Sequence, residues 1–293
     1  MCARNAYVFK DRCRKLLACS GGHSGMPVAD LHVHTTVSDG TLDPEAVPEI
    51  AADAGLEAVA ITDHDRINPA LDAPVTERAG VTVVNGIELR VEVPALPDST
   101  HRVDLLGYGV DPTPELEAIC ERIQQDRIER GRAIVECVED ETGVDLDIDL
   151  SVGVGRPHVA RAIAQSEAEL DYTDAFEELI GNDCACYVAR DIPDFETGRA
   201  ALADACSLVG LAHPFRYEDP EAALSLTEHL DAVERFYPYG EDYDPAPVDA
   251  VIERHDLVAT GGSDAHGEVL GEMGLDREHY DRFRATLPRP TRG

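Results

Sequence analysis

From residue 28 onward the chain repeats one pattern: a short β-rich run, an unusual polar residue at its end, then an amphipathic stretch. The runs are VADLHVH (28–34), EAVAITD (57–63), VTVVNGIEL (81–89), RVDLLGYGV (102–110), SLVGLAHP (207–214), DAVERFY (231–237) and LVATGGSDAH (257–266). Helical patterns lie between them at Thr41–Ala54, Asn68–Ala79, Thr197–Ala205, Pro220–His229 and Pro247–Arg254. Asn68 suits an N-cap and Pro69 the first helical position of the second of these. Strands alternating with helices require a largely parallel sheet with helices outside it. Seven such strands point to a barrel near the (β/α)8 type rather than to an open sheet.

The rhythm is interrupted once. Residues 114–142 read as one long charged helix, with Leu116, Ile119, Ile123, Ile128, Ile134, Val135 and Val138 near helical spacing and Gly143 as its stop. Short helices follow near 157–165 and 173–180 without strand alternation, so 114–193 is expected to be a mainly helical insertion packed on the barrel. The barrel would then consist of a first part (26–113) and a second part (194–285), with a tail (286–293) whose RPTRG sequence should fray. Residues 1–25 carry both lysines, Lys10 and Lys15, and three cysteines, Cys2, Cys13 and Cys19. They read as an extension foreign to the fold, or as a basic tail that touches a partner. Charges run up to Lys15 and leave no apolar core for a secretory signal.

Composition narrows the function. Asp plus Glu number 58 and Lys plus Arg 25, for a net charge of -33. Such a field disfavours extended nucleic acid and anionic lipid surfaces, so an anionic substrate must meet a local positive centre. No apolar run is long enough to span a membrane. An acid-rich surface almost free of lysine suits a cytoplasm full of screening salt, as in an extreme halophile. No Cys-x-x-Cys pair occurs, so no zinc site is expected from the cysteines. In a reducing cytoplasm those outside the extension should be free, mostly buried thiols.

The chemistry gathers at strand ends. His32 and His34 close the first strand and Asp39 follows; Asp63-His64-Asp65 closes the second, Glu88 the third, His213-Pro214 a later one, and Asp264-x-His266 the last. In a (β/α) barrel these ends converge on one face. Alternation turns His32 and His34 to the same side of their strand. Imidazoles joined by carboxylates are what a multinuclear divalent cation site needs. His229, His255 and His279 fall in helical or tail patterns and His23 in the extension, so these are expected to be structural or exposed.

DLHVHTTVSDGTLDPEAV, AITDHD, NGIEL, LLGYGVD, GLAHPFRY and GGSDAH, in that order, resemble the PHP (polymerase and histidinol phosphatase) family. The resemblance implies an α/β fold, a distorted (β/α)7 barrel of PHP type. The inserted helical region resembles the branch of the 3',5'-nucleoside bisphosphate phosphatases and the RNase AM exonucleases. It implies two or three divalent ions, Mn2+ first, with Zn2+, Fe2+ or Mg2+ as alternatives. One ion would be held by His32, His34, Glu88 and Asp264, a second by Glu88 and His213, and a third by Asp39, His64 and His266. Where the second site ordinarily takes a further histidine this chain has Asp104, with His101 three residues earlier. The implied function is a metal-dependent phosphoesterase in which a metal-bound hydroxide attacks phosphorus. Its substrate would be a small phosphorylated metabolite or nucleotide, such as a 3',5'-bisphosphate or a short 5'-phosphorylated RNA end. Arg156, in the Arg-Pro-His segment, and Arg216, after Ala-His-Pro, would clamp phosphate, with Tyr187 beside them or packed in the core. His158 or Asp65 would protonate the leaving oxygen. The competing readings are a histidinol-phosphate-type phosphatase, a PHP module that binds metal without turnover, and C–N bond hydrolysis. The last is weakened because the body of the chain lacks a lysine to bridge metals as a carbamate.

Overall fold

The structure is a computed structural model that describes residues 26–94, 102–240 and 243–292. The basic extension and His101 lie outside the described residues. β1 (Ala29–Val33), β2 (Ala58–Ile61), β3 (Val75–Arg78), β4 (Val81–Glu92) and β5 (Arg102–Tyr108) come first, with α1 (Val47–Asp53) between β1 and β2. Next come α2 (Pro114–Thr142), α3 (Arg156–Gln165) and a helical turn at Tyr172–Asp174 that widens into a π-helical Ala175–Ile180. The second half runs α4 (Phe195–Ala205), β6 (Leu208–Leu211), α5 (Pro220–Ser225), β7 (Ala232–Phe236), α6 (Ala246–His255), β8 (Val258–Gly261), α7 (Arg277–Thr286) and β9 (Thr291–Arg292).

The strands follow the order β1-β2-β4-β5-β6-β7-β8 round one curled sheet. Its two ends meet just past β8, where Val33 bridges Ala265 and the His34 amide donates to the Ala265 carbonyl at 2.9 Å. The result is an α/β barrel of seven strands in which the expected parallel pairing fails at one place. β5 runs antiparallel to both β4 and β6, while the other neighbours along the path are parallel. The core is apolar and close-packed, and Tyr108 meets Phe283 edge-on with ring centroids 5.1 Å apart at one end.

Several local expectations give way to tertiary contacts. The helix expected at Asn68–Ala79 is absent, and Val75–Arg78 instead pairs antiparallel with β4. Asn68 is buried; its Nδ2 donates to Asp63 Oδ2 at 2.8 Å while its Oδ1 accepts from the Ala70 amide. The side chain thus makes a local turn and ties down Asp63 rather than starting a helix. The first helix begins at Val47 rather than Thr41, because the Leu42 carbonyl, which a helix from Thr41 would need for its own amides, accepts from the Thr36 amide at 2.8 Å. Residues 291–292 do not fray: Thr291 pairs with Thr76 and its hydroxyl donates to the Val75 carbonyl.

The long helix stands as its spacing suggests, capped by the Thr113 side chain and stopped by Gly143 at φ 70°. Its first half packs Leu116, Cys120 and Ile123 into the barrel core. Its second half packs Ile134, Val135 and Val138 against Val159, Ile163 and Ile180 in a separate apolar lobe.

Cys137 and Cys186 are not free thiols. They form a disulfide inside this lobe, with Cα atoms 5.5 Å apart. The two positions are far apart in sequence, so only the folded lobe reveals the pairing. Cys120 and Cys206 match the expectation of free thiols, and burial pushes each up to about 12. The disulfide closes a loop spanning 49 residues. Replacing both partners by Ser should lower unfolding stability by about 2–4 kcal/mol. Urea unfolding of the oxidised wild type and the double variant would show this, and an unchanged midpoint would count against the cross-link.

Candidate metal centre

Each unusual residue at a strand end arrives on the same rim of the barrel. β1 delivers His32 and His34, β2 leads into His64, β4 carries Glu88 and β5 carries Asp104. His213 follows β6, and Asp264 and His266 follow β8. Their ligand atoms form three groups: His34, Asp39, His64 and His266; His32, His34 and Asp264; and Glu88, Asp104 and His213. All nine residues expected as metal ligands therefore converge. The partition differs from the expectation in two respects: His34 stands between the first two groups, and Glu88, expected in the first site as well as the second, groups with Asp104 and His213.

The backbone is bent to achieve this. Asp65 (φ 53°), His213 (φ 28°) and Asp264 (φ 51°) all occupy the left-handed region, a strain that side chains with Cβ tolerate only when neighbours impose it. Gly262 is required for a different reason: a Cβ there would stand 2.3 Å from the His32 amide nitrogen. Beside it, the buried carboxylate of Asp30 accepts from the Ser263 amide (2.9 Å), the Ser263 hydroxyl (2.5 Å) and the Gly271 amide (2.8 Å). It thereby fastens the loop after β8 to β1.

Electrostatics centre on Glu88, which is fully buried. His64 Nδ1 lies 2.7 Å and His34 Nε2 3.4 Å from its Oε2, and His213 Nε2 lies 2.9 Å from its Oε1. Burial opposes its charge, but His64 and His32 hold its carboxyl well below the usual range. Burial pushes His34 down, and His64 beside it adds to the shift. Among the described residues, His32 Nε2, both ring nitrogens of His34, Asp39 Oδ1 and Glu88 Oε2 are buried without a hydrogen-bond partner. Unpartnered buried nitrogen and carboxylate atoms facing one another are costly unless a cation joins them. The donor set of imidazole and carboxylate fits divalent transition ions.

Some supporting residues escaped the sequence reading. Glu234 on β7 is buried; its Oε1 lies 3.0 Å from His32 Nδ1 and its Oε2 accepts from the His213 amide at 2.8 Å. It orients His32 so that Nε2 faces the cluster, the usual outer-layer duty of a carboxylate behind a ligand histidine. Asp63 does not enter the cluster. It accepts from Thr35, Ser38 and Asn68 and holds the loop after β1. Arg216 and Tyr237 both donate to Asp264 Oδ2, at 3.1 and 2.8 Å. Arg216 is thus tied to the cluster's edge while half its surface stays exposed, at 55%.

A second cluster lies beside the first. Arg127 and Arg130 from α2 are buried, and Arg190 mostly so. Arg127 bonds Asp65 closely and Arg190 approaches it at 3.5 Å, while Arg127 Nε has no partner. Burial, then Arg156 and Arg127, push Arg130 down to about 10, the mark of cations crowded together. Arg156 donates to the Ile180 carbonyl and Asn182 and stacks 5.6 Å from the Tyr187 ring. Tyr187 accepts from Arg102 at 2.9 Å, so it belongs to this polar cluster.

The two candidate proton donors part company here. Burial raises the Asp65 carboxyl, but Arg127 and Arg190 outweigh it and hold it down at about 2. An acid ionised that firmly anchors arginines and does not donate a proton at neutral pH. His158 Nδ1 accepts from the Gly155 amide at 3.2 Å, which leaves the ring proton of the neutral form on Nε2. Burial, then Arg161, lower its pKa and favour that neutral form.

Asp65 yields a pH prediction. Its carboxyl sits near 2 when folded, against an ordinary value of 3.8, so the depressed pKa adds stability above about pH 4. About 2 kcal/mol should be lost as pH falls from 4 to 2. Asp65→Asn should remove that part of the acid transition and cost about 3–5 kcal/mol at neutral pH by leaving buried guanidiniums unpaired. Matched chemical denaturation curves across pH check both.

Comparison with known proteins places this geometry. The profile of the PHP domain family matches residues 30–179. A phosphoribosyl 1,2-cyclic phosphate 1,2-diphosphodiesterase of Eggerthella lenta is 32% identical over 257 residues, covering 82% of this chain and 95% of that protein. A 3',5'-nucleoside bisphosphate phosphatase of Chromobacterium violaceum is 28% identical over 279 residues, covering 86% of this chain and 91% of its own. A solved structure from Chromobacterium violaceum, described as an amidohydrolase with bound sulfate and no metal, superposes with a TM-score of 0.74 at 26% identity. It covers 90% of this chain and 98% of that one.

Proposed function

The chain belongs to the PHP domain family and is a metal-dependent phosphoester hydrolase, and we propose that it acts on a small nucleotide or sugar carrying more than one phosphoryl group. A 3',5'-bisphosphate nucleotide or the phosphorylated end of a short RNA has this chemistry. The observation that carries the reading is the surplus of buried and half-buried guanidinium beside the metal cluster. Arg127, Arg130, Arg156 and Arg190 crowd one wall, yet the chain as a whole carries a net charge of -33. A protein this acidic gathers buried cations only where an anion compensates them, and a guanidinium fork matches phosphate.

Divalent ions held by His32, His34, Asp39, His64, Glu88, Asp264 and His266 would supply Lewis acidity and a nucleophile at neutral pH. Mn2+ suits the mixed imidazole and carboxylate donors. The chain's own residues do the rest. Glu234 and the Arg216–Tyr237 pair keep His32 and Asp264 in place. Arg156, with its guanidinium set by Ile180 and Asn182, takes a phosphoryl group remote from the scissile bond. His158 holds a proton on Nε2 for the departing oxygen. The acidic surface further suits a cytoplasm of high salt, where screening restores contact between charged partners.

The test is a substrate panel in high salt with Mn2+: a 3',5'-bisphosphate nucleotide, a phosphoribosyl cyclic phosphate, a short 5'-phosphorylated RNA, histidinol phosphate and p-nitrophenyl phosphate. Preference for the doubly phosphorylated compounds is expected, and preference for histidinol phosphate would overturn the substrate class. Glu88→Ala or His32→Ala should lower turnover at least about 100-fold with the fold retained by circular dichroism. Wild-type turnover in either would sink the assignment of the centre. Arg156→Ala should raise KM for the bisphosphate about tenfold while changing KM for p-nitrophenyl phosphate little, because only the former has a remote phosphoryl group. Equal loss on both would assign Arg156 to the scissile phosphate instead.

A further inference from the structure

Of the three cation-sized groups, one already contains a positive charge supplied by the protein. Arg90 lies two residues past Glu88 on β4, and the antiparallel register sets it directly opposite Asp104 on β5. Its Nε donates to Asp104 Oδ1 at 2.7 Å and its Nη2 to Asp104 Oδ2 at 2.5 Å. Both oxygens of a buried carboxylate are therefore occupied by one guanidinium fork. The rest of that group is also engaged, since His213 Nε2 sits 2.9 Å from Glu88 Oε1 and 3.8 Å from Asp104 Oδ2.

The unpartnered atoms fall elsewhere. Those on His34, Asp39 and His32 belong to the two groups around His34, and the unpartnered Oε2 of Glu88 turns toward the same rings, 3.5 Å from His32 Nε2 and 3.4 Å from His34 Nε2. Asp104 contributes none, and the unpartnered atom of His213 is Nδ1, not the nitrogen that faces Glu88 and Asp104. Where a cation is wanted, the buried donors stand bare; around Asp104 they are satisfied.

We propose that this centre holds two divalent ions and not three, with the Arg90 guanidinium neutralising Asp104 in place of the third. The inference rests on the metal-dependent reading above and refines it. An ion bound to Asp104 at roughly 2.1 Å would stand within about 5 Å of a guanidinium that cannot lose its proton. Two cations that close inside a buried site repel strongly. The exchange has a chemical consequence. A guanidinium offers N–H groups and a single fixed charge, so it can bind a phosphoryl oxygen but cannot act as a Lewis acid toward water. It also survives chelation.

Metal content of the whole protein decides the matter. Metal-free protein would be titrated with Mn2+ in high salt, dialysed and assayed by mass spectrometry of the metal, and anomalous diffraction at the manganese edge would locate the ions. Two ions per chain are expected, one among Asp39, His64 and His266 and one among His32, Asp264 and Glu88, with His34 ligating one of the two and no peak between Asp104 and His213. Arg90→Ser should raise the count to three by freeing Asp104. Three ions in the wild type, or two in a folded Arg90→Ser variant, would overturn the proposal. No bound ion at all would overturn it together with the metal-dependent reading, so the two failures are told apart. Should Arg90→Ser not fold, the wild-type count and the peak positions still decide.

Discussion

A fully buried carboxylate among histidine rings is the interaction around which the rim of this barrel is organised. Glu88 has His64 and His213 within 3 Å and His32 and His34 at 3.5 and 3.4 Å. Taking such a charge out of water is costly unless several donors or cations surround it. The strained turns at His213 and Asp264, the close approach of Gly262 to His32, and the buried Asp30 and Glu234 all follow from that need. Each moves a strand end inward or holds a ring at a set angle. The apolar clusters of the barrel supply the stability that sustains this strain.

Charge is distributed in two tiers. The surface is acidic, while a set of buried and half-buried arginines stands on one side of the metal cluster. Asp65 and Asp104 are their buried counter-ions, one binding Arg127 and Arg190, the other Arg90. Three guanidiniums against two carboxylates, with Arg130 and Arg156 close by, leave a positive wall facing a negative cluster. A phosphorylated substrate with its scissile group at the cations and another group at the arginines compensates both.

Much of this was legible in the sequence, and the reasons for the exceptions are physical. Residues at strand ends were readable because a barrel makes strand ends converge whatever the intervening helices do. The helix expected at Asn68–Ala79 failed because local capping signals say nothing of the buried Asp63 that claims the Asn68 side chain. Glu234 was hidden in a strand pattern that shows alternation but not which acid turns inward. Cys137 and Cys186 are joined by a fold that only the lobe's packing defines. Arg127 and Arg130 did leave a trace. They occupy the same helical stripe as Ile123, Ile134 and Val138, where a surface arginine does not belong.

The departure from a regular barrel is also what gives the site its particular chemistry. In a wholly parallel sheet β4 would be followed by a helix, and the next strand would return to the rim pointing the same way. Here β4 runs on for 12 residues and pairs antiparallel with β5. Antiparallel register sets residues face to face, so Arg90 and Asp104 meet as a cross-strand pair on the wall that carries Glu88. That pairing satisfies Asp104 from within the chain. The reversed strand thus decides how much positive charge at the rim belongs to the protein and how much must come from bound ions.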